Sequence, residues 1–192
     1  MERIKADDLY AYRFLSEVAV APDGAHAAFV SRRARDDGKG YYACIHLLDT
    51  TTGAVRPLTG NGDEAAFRWL DANTLIFPSC RTGDQPGKTA FYRLDIRGSE
   101  AERAFTIPLS VKQFHPLPDG RWFVLTRRPM TPPEDLPADQ PQPGRDYTVF
   151  DELPFWADGL GMINGTRMSG WIFDPADAPA ALPLRQEDSK TA

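Results

Sequence analysis

Three aspartates recur at a fixed spacing of 48 residues: Asp23, Asp71 and Asp119. The first lies in Val20-Ala21-Pro22-Asp23-Gly24 and the third in Pro116-Leu117-Pro118-Asp119-Gly120. Trp69-Leu70-Asp71-Ala72-Asn73 is a degraded middle copy. A period of this length marks a chain built from repeated supersecondary units, each too small to bury its own apolar face. The same order of elements should therefore recur around each aspartate.

Asp-Gly between apolar runs signals a hairpin, because both residues tolerate positive φ in the turn. In the first unit it joins an expected strand at 17–21 to one at 27–31. A polar loop leads to a third strand at 41–48, closed by Asp49-Thr50-Thr51-Thr52-Gly53. A short fourth follows at 54–58, where Pro57 suits an edge position. The second unit repeats the order at 66–70, 74–77, 90–94 and 103–107, and the third at 111–117, 122–126, 170–174 and 181–184. Four short antiparallel strands in about 48 residues make the blade of a β-propeller. A β-sandwich also has short strands and frequent turns, but it gives no reason for the period.

The expected fold is all-β, a partial β-propeller of about three four-stranded antiparallel blades with a short N-terminal helix. The expected boundaries are a helical lead-in at 1–15, blades at 16–60, 61–108 and 109–185, and a polar tail at 186–192. In the lead-in, Asp7 and Asp8 favour a helix start, and Leu9, Tyr12 and Leu15 are expected to pack on the sheets. The third blade carries a proline-rich insertion at 129–148, a composition unfit for helix or central strand. A hairpin at 150–170 should follow, with Asn164-Gly165 as a type I′ turn.

A net charge of −5 argues against nucleic acid as a partner, which calls for a basic stripe. The N-terminus lacks the apolar core of a signal peptide, and no apolar run approaches the ~20 residues of a membrane-spanning helix. A cytoplasmic protein without membrane contact is the expectation. Cys44 and Cys80 lack metal-ligand spacing and read as two buried thiols in a reducing compartment. His26, His46 and His115 are scattered rather than clustered. No metal or cofactor is expected, and Asp23, Asp71 and Asp119 read as turn formers.

Three stretches carry a resemblance. Asp8-Leu9-Tyr10 leads through Leu15-Ser16-Glu17-Val18-Ala19-Val20-Ala21-Pro22-Asp23-Gly24 into Ala27-Ala28-Phe29-Val30. Leu47-Leu48-Asp49 precedes Gly53, Val55 and Pro57-Leu58-Thr59. Asp151-Glu152-Leu153-Pro154-Phe155-Trp156-Ala157-Asp158-Gly159 precedes Thr166-Arg167. In this order they resemble the start of the β-propeller in the prolyl oligopeptidase family of serine peptidases, in particular its acylaminoacyl-peptidase and dipeptidyl-peptidase-like members. The resemblance implies a Ser-Asp-His triad on a C-terminal α/β-hydrolase domain. None of Ser16, Ser31, Ser79, Ser99, Ser110, Ser169 and Ser189 lies in a Gly-x-Ser-x-Gly nucleophile elbow, so no catalytic residue is assigned.

Asp151, Glu152, Phe155 and Trp156 are the candidate contact residues, because long insertions on rigid scaffolds often carry binding surfaces. The resemblance implies that Asp151 or Glu152 meets a substrate amine or an interdomain arginine, and that Phe155 or Trp156 lines an apolar wall. Plain packing is the competing reading, with the aromatics covering the sheet and the carboxylates capping a turn.

Propellers close with about four to eight blades, and three form an arc with two open ends. The implied partners are an α/β-hydrolase domain, in the parent chain or another chain, and a peptide substrate; open edges also suit a homo-oligomer. Two functions follow. In one, this is the propeller portion of a serine peptidase that gates and lines access for short peptides. In the other, it is a non-enzymatic propeller-like protein-binding scaffold.

Overall fold

The computed structural model describes residues 5–37, 40–84, 87–98, 100–129, 156–157, 161–162 and 166–177. Three antiparallel sheets follow one another along the chain. The first contains β1 (Phe14–Val20), β2 (His26–Ala34), β3 (Tyr41–Asp49) and β4 (Val55–Pro57), in sequence order. The second contains β5 (Arg68–Trp69), β6 (Thr74–Pro78), β7 (Thr89–Asp95) and β8 (Glu102–Ile107), also in sequence order. The third is built from β9 (Val111–Pro116), β10 (Trp122–Pro129) and β13 (Thr166–Phe173). Between β10 and β13, β11 (Trp156–Ala157) pairs with β12 (Gly161–Met162). The chain is thus all-β, a partial β-propeller of three successive sheets. The strand expected at 181–184, most of the insertion and the Asn164-Gly165 turn lie outside the described residues.

The turn aspartates explain why the period exists. Asp23 Oδ1 accepts the backbone N–H of Ala25 at 3.0 Å, Asp71 Oδ1 that of Asn73 at 2.7 Å, and Asp119 Oδ1 that of Arg121 at 3.1 Å. Each carboxylate satisfies a donor two residues on, the Asx arrangement that holds a turn closed. A second series ends the third strand of each sheet: Asp49 accepts from Thr51 and Thr52, Asp95 from Arg97, and Asp174 from Ala176.

In the Asp-Gly turns only the glycine, not the aspartate, takes positive φ. Gly24 N–H donates to Ala21 O at 2.9 Å, and Gly120 N–H to Leu117 O at 3.1 Å. Pro22-Asp23 and Pro118-Asp119 are therefore the central pairs, and only the following glycines turn left-handed, at φ 75 and 87. Proline fixes φ near −65°, which excludes the I′ geometry and selects a type I turn closed by glycine.

Two apolar clusters hold the sheets face to face. The first joins Ala28, Val30, Ala43, Ile45 and Leu47 of the first sheet to Phe67, Leu75, Phe77, Ala90, Tyr92, Leu94 and Ile96. The second joins Ile76, Phe91 and Ile107 of the middle sheet to Phe114, Trp122, Val124 and Phe173 of the third. Successive strand residues face opposite sides, so Leu75 and Phe77 pack one way and Ile76 the other. This is why Leu75-Ile76-Phe77 of β6 reads as an unbroken apolar run rather than an alternating one. Phe91 contacts Phe105, Phe114 and Trp122 at centroid distances of 5.0, 5.0 and 6.1 Å.

Two expectations fail here. The N-terminal helix is a single 3-10 segment, Ala6–Ala11, and Leu9, Tyr12 and Leu15 stay exposed rather than packing on the sheets. Its apolar residues are too few to outweigh the exposed backbone around them, and Tyr12 already has extended geometry. Cys44 is buried as expected, but Cys80 is exposed, because it lies two residues past the end of β6 at Pro78, where the chain leaves the core.

Phe91→Ala should destabilise the chain by about 3–5 kcal/mol, since it opens a cavity among aromatic neighbours that cannot collapse. Urea unfolding checks this; a loss below about 1 kcal/mol would contradict the two-sided core.

Candidate functional site at the loop end of the sheets

The two ends of the sheets differ. His26 pairs with Asp49 and Thr74 with Asp95, so the turns after first and third strands share one end. Thr50 Oγ1 ties two of them together by donating to Gly24 O at 2.8 Å. The opposite end receives the loops between second and third strands, the β4–β5 link, and the insertion, whose bases meet at the Pro129–Thr166 pairing. Irregular backbone concentrates at this loop end, where binding surfaces are usually carried.

A charged network occupies the loop end between the first two sheets. The 60–64 segment fastens it: Tyr42 Oη donates to Gly60 O at 2.5 Å, and Ala43 N–H to Gly62 O at 2.9 Å. Gly62 has φ 94 and faces the Tyr42 ring so closely that a Cβ would collide with it. Asp63 accepts from Asn61 Nδ2 at 2.8 Å, Ser79 Oγ at 2.8 Å and the Cys80 N–H.

Next to it, Glu64 is fully buried, and Oε2 accepts the Gly62 N–H at 3.0 Å. Oε1 faces Arg81 Nη2 at 4.0 Å, near enough for charge compensation and too far for a hydrogen bond. The Arg81 guanidinium lies 4.3 Å above the Tyr92 ring, which adds cation–π attraction. Asp84 accepts from the Arg81 N–H at 2.7 Å, Tyr92 Oη at 3.0 Å and Arg103 Nη2. The Arg81 N–H, and after it Tyr92 and Arg103, hold the Asp84 carboxyl below the usual carboxylate range. Burial pushes the nearby Cys44 thiol up, which keeps it unreactive.

Of the residues proposed from sequence, Asp151, Glu152 and Phe155 lie outside the described residues. Trp156 enters β11, paired through its backbone with Met162. His26, His46 and His115 fall on three separate strands, and His46 stacks on Phe29 at 5.5 Å. Among the described residues no three His, Cys, Asp or Glu side chains group as a metal site needs. The network of Glu64, Arg81, Asp84, Tyr92 and Arg103 was not foreseen. Its one local signal is a glutamate followed by Ala65-Ala66-Phe67; its partners are distant in sequence. Chemically it offers opposed carboxylates and guanidiniums, suited to fixing charged groups rather than to nucleophilic attack.

The fold and its loop end define a class: a segment of β-propeller with its elaborations gathered at one end. Comparison with known proteins finds similarity to peptidases. The chain is 33% identical over 125 residues to the uncharacterized peptidase YuxL of Bacillus subtilis (strain 168), a match covering 64% of this chain and 19% of that protein. Its fold matches acylaminoacyl peptidase from Pyrococcus horikoshii with a TM-score of 0.60 and 15% identity, over 87% of this chain and 24% of that one. A structure of acylaminoacyl peptidase in complex with Z-Gly-Gly-Phe-chloromethyl ketone matches equally, with a TM-score of 0.60, 15% identity and the same coverage of 87% and 24%. No protein-family model matches. The resemblance to peptidase propellers is thus borne out, and the chain spans about a fifth to a quarter of the length of the proteins it matches. Among the described residues no helix is long and apolar enough to cross a membrane.

The turn aspartates give a pH dependence. Arg97, through its guanidinium and then its backbone N–H, lowers the Asp95 carboxyl from 3.8 to about 2. Asp49, Asp71 and Asp119 are lowered as well, Asp49 and Asp71 chiefly by backbone N–H groups and Asp119 chiefly by Arg121. A depressed carboxyl stabilises the fold above its unfolded pKa and loses that contribution as pH falls through the folded value. Stability should therefore fall between pH 3.8 and about 2. Asp95→Asn should flatten part of that slope in urea titrations at graded pH; an unchanged slope would contradict the assignment.

Proposed function

We propose that this chain is the propeller portion of a cytoplasmic serine peptidase. In this reading it gates and lines access for short peptides, while an α/β-hydrolase domain in the parent protein or another chain supplies catalysis. The observation that carries the reading is the 33% identity to a peptidase. The peptide-like inhibitor in the second acylaminoacyl peptidase structure supports a peptide substrate. In sequence, Asp151, Glu152, Phe155 and Trp156 belong to the insertion between Pro129 and Thr166, and those two residues pair at the same end as the Glu64–Arg81–Asp84 network. The hydrolase domain belongs against that end, where Asp151 or Glu152 meets a substrate amine or an interdomain arginine and the two aromatics form an apolar wall.

Exposed apolar residues support the need for a partner. Phe14, Leu15, Val18, Val20, Tyr41 and Val55 are between 46% and 70% exposed, and all belong to the first sheet. Further blades of the parent protein, or a second copy, would cover them.

An antibody raised against this chain should capture, from native extract, a protein that a fluorophosphonate probe labels and that is distinct from the 21.4 kDa chain. Capture of only unlabelled protein would favour the binding-scaffold reading. In the active assembly, Asp151→Asn with Glu152→Gln should raise KM for a peptide with a free amino terminus about 3- to 10-fold with kcat nearly unchanged. No change in either constant would remove these carboxylates from the substrate path.

A further inference from the structure

The first half of β1 is fastened by one strained contact. Among the described residues Glu17 is the one non-glycine in the left-handed region, at φ 53; the other such positions are glycines. An L side chain there crowds its own carbonyl, and glycine would hold the same backbone without that cost. The chain instead places a carboxylate at this point. A bulge between Ser16 and Ala19 re-aims it toward β5, where Arg68 Nη1 donates to Glu17 Oε2 at 3.1 Å.

Arg68 is itself anchored. Nη1 also donates to Phe67 O at 2.6 Å, and the guanidinium lies 5.1 Å from the Phe114 ring centroid in the third sheet. One residue on, Trp69 Nε1 donates to Ala19 O at 3.1 Å. β5 has only two residues, and both reach back to β1. Trp69 packs against the buried cluster that joins the first two sheets, so its end of β1 is fixed by burial as well.

The other end is not. Phe14 and Leu15 are 46% and 63% exposed, and Val18 within the bulge is 70% exposed. Besides Glu17–Arg68, this half is held by pairing of Phe14, Leu15 and Ser16 with Arg32, Ser31 and Val30 of β2, and by an edge contact of the exposed Phe14 and Tyr41 rings at 6.4 Å. Segments with few buried contacts open at low free energy.

We propose that residues 14–17 form a releasable strap closed by the Glu17–Arg68 ion pair. In the closed state the pair holds Glu17 in its strained conformation. When the pair breaks, Glu17 relaxes to negative φ, the strap peels from β2, and the edge of β2 around Val30 and Arg32 becomes available. Backbone strain opposes the pair, and both side chains are partly exposed, so added salt screens it. The two states are therefore close in energy, and ionic strength shifts their balance.

Amide hydrogen exchange at residues 15–18 tests this in the full chain, at about 0.05 M and about 1 M NaCl. Exchange in the wild type should rise about two- to five-fold with salt, the range of an exposed ion pair. Arg68→Gln should exchange at the faster rate under both conditions. Glu17→Gly, free of strain, should lose the salt dependence and melt at or above the wild-type temperature. Glu17→Ala keeps the strain without the carboxylate and should exchange fastest. Salt-independent exchange in the wild type would overturn the proposal, and so would Gly and Ala variants that behave alike. None of these readouts depends on peptidase activity.

Discussion

The middle sheet has no face to give to water. Leu75, Phe77, Ala90, Tyr92 and Leu94 pack toward the first sheet, while Ile76, Phe91 and Ile107 pack toward the third. An isolated sheet with two apolar faces is insoluble, so the flanking sheets are conditions of its existence. The links between sheets carry the few polar bonds that set their spacing. Thr89 Oγ1 donates to Leu109 O and accepts from Val111 N–H, while Arg32 Nη2 donates to Ala65 O. Burial supplies the energy and these bonds supply the register.

The same constraint, applied to the first sheet, leaves a debt. One face meets the middle sheet; the edge and opposite side expose Leu15, Val18, Val20 and Val55. Such residues on a repeat unit mark where the next unit belongs. The similarity to much longer proteins, of which this chain covers 19% and 24%, agrees with that reading. On the proposed function, the loop end is the place to look for substrate or domain contacts, and there Glu64, Arg81, Asp84 and Arg103 hold charge in fixed positions.

What was legible in the sequence was local. Asp23, Asp71 and Asp119 announce their turns because each bonds a group two residues away, and a 48-residue period needs no tertiary knowledge. Leu75-Ile76-Phe77 likewise announces a strand, and the structure adds that it is buried on both sides. The Asp-Gly signal does not by itself give the turn geometry, which the fixed φ of Pro22 and Pro118 decides. The spacing of Leu9 and Tyr12 suggests packing, but the 3-10 geometry of Ala6–Ala11 aims no continuous stripe at a sheet. The Glu64–Arg81 pair was invisible because its partners come from different elements and no period connects them. Glu17 was hidden too: nothing in Ser16-Glu17-Val18 signals a left-handed residue inside an apolar strand.

The central claim is that these three sheets are part of a larger propeller whose first sheet needs a cover. Sedimentation velocity of the isolated chain over a wide concentration range, with an apolar-surface dye present, tests it most directly. The account predicts concentration-dependent association above 21.4 kDa together with dye binding, both reduced when Leu15 and Val18 are replaced by threonine. A stable monomer that leaves the dye dark at every concentration would contradict it.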